Sequence, residues 1–187
     1  KMKIAQGFYN DTYLFDQNAC TAPHLITWVG DNESSVNASE VFWSNLEILT
    51  SRRYLIEPIQ IIDKLVATAR FSFENPKAKL FKSADNKIFR FKLEDLSANL
   101  DHYKSHSGLF FEVNLRNLSM LGGHVNNNFQ TMTYFGFELE ELSNFVSNSK
   151  LRGIDRIVPV GKSLDFSLVW DGYDLITALS REVTISI

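Results

Sequence analysis

Two periodicities alternate along the chain. The apolar run Leu25–Val29 reads as a strand, and Gly30-Asp31-Asn32 as the turn that ends it. Phe42, Trp43, Leu46 and Leu49 then recur at helical spacing. Ser34, Ser35 or Asn37 caps this helix, and Arg52-Arg53 lie in its last turn, where cations suit the helix dipole. Glu57-Pro58 opens a second helix, with proline where its missing N–H costs little. Its apolar stripe is Ile59, Ile62, Val66 and Ala69, and Asn75-Pro76 stops it.

The period then falls to two. Leu80-Phe81, the polar turn Ser83-Ala84-Asp85-Asn86, and Phe89 and Phe91 alternating with Arg90 and Lys92 predict a half-exposed hairpin, an edge or an insertion. Glu94 to Leu100 reads as a short helix and His102 to Ser107 as a polar loop. Strands are predicted at Gly108–Val113, Thr131–Phe135 and Arg156–Val160. Leu121-Gly122-Gly123-His124 breaks the pattern between the first two of these. An acidic-start helix covers Glu138 to Val146, and a helix around Tyr173–Leu179 precedes a terminal strand, Val183–Ile187. Asp171-Gly172 is turn chemistry. The first fifteen residues, with Phe8-Tyr9 and Tyr13-Leu14-Phe15, show no capping or initiating signal and receive no element.

Strands alternating with helices predict an α/β fold: three layers, a mostly parallel sheet and flanking helices. Such sheets bind ligands beyond the carboxyl ends of their strands. A chain of 187 residues fits one domain, 1–187, burying roughly 70% of its unfolded surface. Hydrophobic residues make up 44% and charged residues 22%, as in ordinary globular proteins. A net charge of −3 gives no electrostatic case for nucleic acid. No apolar run is long enough to span a bilayer and no leader pattern opens the chain. With one cysteine there is no intrachain disulfide, so a reducing, cytoplasmic setting is expected. Sequons at Asn10, Asn32, Asn37 and Asn117 are read as chance in an Asn- and Ser-rich chain.

Candidate chemistry centres on Asp16-Gln17-Asn18-Ala19-Cys20-Thr21-Ala22-Pro23. A thiol on a short polar loop before a strand is placed to be a nucleophile, and it is equally where an inert structural cysteine sits. Asn18 and the backbone N–H of Cys20 are candidate oxyanion donors. His24 is the one histidine near Cys20 in sequence; His102, His106 and His124 are scattered. Metal-ligand spacing and phosphate-cradling glycine motifs are missing.

The same segment, D-Q-N-A-C-T-A-P, resembles the nucleophile motif of the acyl-CoA reductase family, the LuxC type known from bacterial luminescence operons. A second block, R-G-I-D-R-I-V-P-V-G-K-S-L-D-F at Arg152–Phe166, continues as W-D-G-Y-D-L-I at Trp170–Ile176 and L-S-R at Leu179–Arg181. It is similar to that family's C-terminal signature, and F-Q-T at Phe129–Thr131 is a weaker anchor between the two. The family belongs to the aldehyde dehydrogenase superfamily. The resemblance implies a cysteine-bearing catalytic domain, the C-terminal part of a longer reductase. Its implied activity is NADPH-dependent reduction of a fatty acyl-CoA or acylated protein to the aldehyde through an acyl-Cys20 enzyme. NADPH is expected to bind mainly to a domain outside this chain. Asn18 is implied as an oxyanion contributor, Gln17, Gln130, Thr131, Arg156 and Gly161 as site-shaping, and the C-terminal strand as an oligomer contact. The alternatives are another thioester or acyl-phosphate reductase of the superfamily, and a non-catalytic scaffold or subunit-interaction domain.

Overall fold

The computed structural model describes residues 1–96, 99–104 and 106–186. Its centre is a four-stranded sheet of β1 (Leu25–Val29), β2 (Lys79–Lys82), β3 (Phe89–Lys92) and β4 (Leu109–Leu115), in the order β1-β4-β3-β2. β1 and β3 both run parallel to β4, with Leu25 opposite Phe111 and Phe91 opposite the same residue; β2 closes the far edge antiparallel. The expected mostly parallel α/β sheet is present.

β4 explains the layering. Its residues alternate between the two faces, as strand geometry requires. Leu109, Phe111, Val113 and Leu115 join one core with Phe71, Phe89, Phe91 and Phe145. Phe110 points to the other core, with Phe8, Tyr13, Trp43 and Leu46. The second core belongs to α1 (Met2–Tyr13) and α2 (Asn32–Arg53), and the first to α3 (Pro58–Glu74) and α5 (Leu139–Ser149). Helices therefore flank both faces, giving three layers. Between β4 and α5 lie the single turn α4 (Ser119–Gly122) and β5 (Thr131–Tyr134). β6 (Arg156–Pro159) pairs parallel with β5 as a separate two-stranded sheet. The chain continues into a small hairpin, β7 (Val169–Trp170) and β8 (Tyr173–Asp174), and a short α6 (Leu175–Leu179). Asp171 and Gly172 both have positive φ, 51° and 78°, the mirror-image turn such a hairpin needs.

Several expectations are corrected. The unassigned first residues form α1, whose buried face, Ala5, Phe8, Tyr9, Thr12 and Tyr13, packs on α2 and β4. The α2 cap is Asp31, whose carboxylate accepts from Ser34 N at 2.9 Å, rather than Ser34, Ser35 or Asn37. The expected stripe of α3 faces outward: Ile59, Ile62 and Val66 are exposed, and the packed residues are Lys64, Thr68 and Phe71. Phe71 sets that orientation, its ring 4.5 Å from Phe91 and 4.7 Å from Phe111. The hairpin is no insertion, because β3 is an interior strand with Phe89 and Phe91 fully buried. The described residues of 94–100 form no α-helix; a 3-10 turn runs over Leu100–Tyr103, and Ser97 and Ala98 lie outside the described residues. Tyr173 and Asp174 belong to β8 rather than to the last helix. Residues 183–186 belong to no strand, and Ile187 lies outside the described residues.

Candidate functional site

The two sheets do not join. β1 ends the large sheet and β5 borders the small one, and a cleft of about 1410 Å³ lies between them, lined by every residue of both strands. The Cys20 loop, residues 99–101, 104 and 106, residues 124–126 and 128–130, and parts of α1 and α2 also line it.

The loop that carries Cys20 is held by its backbone and by one amide. α1 ends at Tyr13, and Asp16 and Gln17 take φ of 52° and 62°, reversing the chain toward β1. Gln17 N donates to Thr12 O at 2.7 Å, and Asn18 N to Phe15 O at 2.8 Å. Asp16 is fixed from two sides: its carboxylate accepts from Tyr54 Oη at 2.7 Å, and its carbonyl accepts from Ser107 N. Non-glycine residues at positive φ persist only where the surroundings over-determine them. Here the surroundings are α1, Tyr54 and the residues preceding β4.

Gln17 is almost fully buried. Its Nε2 donates to Pro23 O and Leu109 O, both at 2.9 Å, and its Oε1 accepts from Gly108 N and Leu109 N. One side chain thus pins the Cys20 loop to the start of β4. Replacing Gln17 by Ala strands several buried backbone groups and is expected to cost roughly 2–4 kcal/mol, read as a lower urea midpoint.

Within this frame Cys20 is exposed and lines the cleft. Asn18, two residues earlier, is exposed beside it, and among the described residues neither its amide nor the Cys20 N–H has a hydrogen-bond partner. His24 lines the same cleft with its Nδ1 buried and unpartnered. Burial, then the Lys104 charge, pushes its pKa down to about 4. At neutral pH it is an uncharged imidazole. That disfavours an imidazolium–thiolate pair with Cys20.

The remaining candidates separate into two groups. Gln130 and Thr131 line the cleft at the entry to β5. Arg156 and Gly161 do not. Arg156 binds the following loop, donating to Ser163 O at 2.6 Å, Lys162 O at 3.1 Å and Asp165 O, and stacks over Trp170. Gly161, at φ 92°, meets α1 backbone to backbone: a Cβ there would lie 2.9 Å from Gly7 Cα. Its N–H and that of Ser163 both donate to the buried Asp11 carboxylate of α1, at 2.6 and 3.0 Å. Burial raises the Asp11 pKa, and those two N–H groups pull it back. Gly161 and Ser163 therefore hold the C-terminal segment against α1, and Arg156 braces that segment from within. Asp101, which lines the cleft, carried no signal in the sequence; a lone aspartate in a polar loop has none.

Among the described residues no group of three metal-ligating side chains occurs, and no helix is long and apolar enough to cross a membrane. A nucleotide pyrophosphate needs free amides at a helix start. The start of α2 is occupied by the Asp31 carboxylate, and that of α5 by Glu138 in a capping box with Glu141. Neither helix start fits an anion.

No family model and no characterised protein matches the chain by sequence. Among solved structures, the fold is similar to a chain from Sinorhizobium meliloti 1021 assigned as a methylmalonate-semialdehyde dehydrogenase and complexed with NAD. The TM-score is 0.59 at 14% identity over 91% of this chain. This chain spans 40% of that one. At that identity the likeness speaks for the fold, which is an aldehyde-dehydrogenase-like α/β domain.

Proposed function

We propose that the chain is the thiol-bearing domain of an aldehyde-dehydrogenase-superfamily oxidoreductase that takes an acyl group from a thioester onto Cys20. The observation that carries this reading is the placement of an exposed thiol in the large cleft, beside an unspent backbone N–H and the free Asn18 amide. The resemblance of Asp16–Pro23 and Arg152–Phe166 to LuxC-type acyl-CoA reductases names the acyl donor, a fatty acyl-CoA or an acylated protein.

In this reading the Cys20 thiolate attacks the thioester carbonyl, forming a new C–S bond and a tetrahedral oxyanion. The Cys20 N–H and Asn18 Nδ2 are donors for that oxyanion. Collapse breaks the substrate's C–S bond; the departing thiolate takes up a proton and leaves as the free thiol. Gln17 positions the loop, and Gln130 and Thr131 shape the opposite wall. Reduction of the acyl-enzyme to the aldehyde belongs to the whole enzyme. NADPH is the reductant that the resemblance implies, and the same resemblance places it mainly on a domain outside this chain. No reduction step is therefore assigned to these residues.

Intact-mass spectrometry after incubation with a long-chain acyl-CoA tests the reading. A single acyl adduct is expected, lost entirely in Cys20→Ser. A chain that stays unmodified overturns acyl transfer and favours a scaffold role.

A further inference from the structure

A surface helix ordinarily turns its apolar stripe to the core and a polar face to water. α3 does the reverse. Lys64, Thr68 and Phe71 face inward, while Ile59, Ile62, Val66 and Phe73 are 61%, 55%, 64% and 88% exposed, with Ala69 exposed between them. The outward residues follow a 3-4-3-4 spacing. Written as a heptad, Ile59, Val66 and Phe73 are a, and Ile62 and Ala69 are d, the seam by which one helix meets another. Lys64 and Phe71 then fall at f, directly behind the seam. There the bonds from Lys64 Nζ to Asn86 O and Ser107 O, and the packing of Phe71 on Phe91 and Phe111, hold the helix in place. The fold thus fixes α3 with its seam outward.

Size and charge decide what covers it. The four large seam residues and the exposed Leu65 offer on the order of 500 Å² of apolar side chain, the upper range of what a monomer leaves in water. Two such stripes bury about 1,000 Å², the lower limit of a specific interface. The flanking charges are self-complementary. Asp63 and Arg70 both occupy e, one heptad apart, and both are exposed. Two antiparallel α3 helices related by a two-fold axis set e against e, so Asp63 of each copy meets Arg70 of the other. The same register sets Ile62 against Phe73 and Val66 against Ala69, with the small residues over the axis. A parallel pair instead sets e against g, where Pro58, Leu65 and Ser72 carry no charge. Among the described residues Asp63 has no ion pair, and of the Arg70 nitrogens only Nε is engaged, by Glu74 at 3.2 Å, with the guanidinium over Tyr103.

We propose that α3 is a homodimer surface, docked antiparallel on α3 of a second copy of this chain. The inference is independent of acyl transfer on Cys20 and of the C-terminal strand, which lies on another segment.

Sedimentation of the intact chain under reducing conditions, from about 1 to 200 µM at low salt, tests it. An interface of this size is expected to give a reversible dimer with a dissociation constant of about 1–100 µM. Val66→Asp, which brings two carboxylates together near the axis, is expected to weaken it about tenfold or more. Asp63→Arg and Arg70→Asp are each expected to weaken it severalfold, and the double reversal to return it to within about twofold of wild type. The substituted side chains face solvent, so each variant is expected to keep the wild-type urea midpoint at submicromolar concentration, where the chain is monomeric. A chain that stays monomeric throughout, or a dimer indifferent to Val66→Asp, overturns the inference. A double reversal no tighter than the two single ones also overturns it, since the seam then takes a partner other than its own copy in this register.

Discussion

Replacing Glu112 by Ala is expected to cost about 3–5 kcal/mol, the usual loss when one member of a buried charged pair is removed. Glu112 is the even-numbered residue of β4 that faces α2, and it is 1% exposed. A carboxylate there is tolerable because four donors converge on it. Trp43 Nε1 lies at 2.7 Å, Trp28 Nε1 and Ser39 Oγ at 3.0 Å, and Arg90 of β3 forms the ion pair. Arg90 in turn lies over the rings of Trp43 and Phe81. Truncation to Ala leaves a largely buried guanidinium and two indole N–H groups without an acceptor. Since a domain of this kind is stable by only about 5–15 kcal/mol, the loss is a large share of the total. Urea denaturation followed by tryptophan emission measures it, because Trp28 and Trp43 report on the same carboxylate. The double substitution Arg90→Met, Glu112→Leu is expected to recover much of the loss, since an apolar pair of similar volume removes both desolvated charges. A Glu112→Ala chain with an unchanged midpoint sinks the account.

Local signals made most elements legible. β1, the hairpin, β4, β5 and β6 announce themselves as short apolar or alternating runs, and α2, α3 and α5 as helical spacings with caps. What local pattern does not carry is which face of an element meets the core. The outward stripe of α3 is more apolar than its packed face, yet Phe71 and Lys64 decide the orientation through contacts with Asn86, Phe91, Ser107 and Phe111, all far away in sequence. α1 was hidden for a related reason. It lacks a side-chain cap and buries Asp11 and Thr12 among its aromatics, so its pattern is broken by polar groups, and the partners of Asp11, Gly161 and Ser163, lie far along the sequence. Cys20 was legible as the single thiol in an amide-rich loop. Gln17 and Asn18 look alike in sequence, but one is a buried brace and the other a free amide at the cleft. Only the register of the loop on β4 separates them.

Stability is expected to rise with pH between about 7 and 10, and Lys64 is the reason. Its side chain is completely buried, and Nζ donates at 2.6 Å to both Asn86 O and Ser107 O, the carbonyls of two residues held at positive φ. The Phe89 ring lies 4.7 Å below the nitrogen. Among the described residues no carboxylate pairs with it, and burial pushes its pKa down to about 7, with Asp85 pulling weakly the other way. In the unfolded chain the same amine keeps its proton up to the ordinary lysine range, near 10.5. Between those values the unfolded state holds the extra proton, so each unit of pH favours the folded state by on the order of 1 kcal/mol. Below pH 7 both states are protonated and this contribution is flat. The neutral amine still has two N–H groups for its two carbonyls, so deprotonation removes the buried charge without breaking the tether. For a chain of this length the slope corresponds to roughly 2–4 °C in melting temperature per pH unit. Differential scanning calorimetry from pH 6 to 10, on the wild type and on Lys64→Met, isolates the effect from Asp85, Lys82, Lys87 and His106, which are common to both. The rise is expected in the wild type and absent in Lys64→Met, which is also less stable because both carbonyls lose their donor. Parallel profiles in the two proteins contradict the assignment to Lys64.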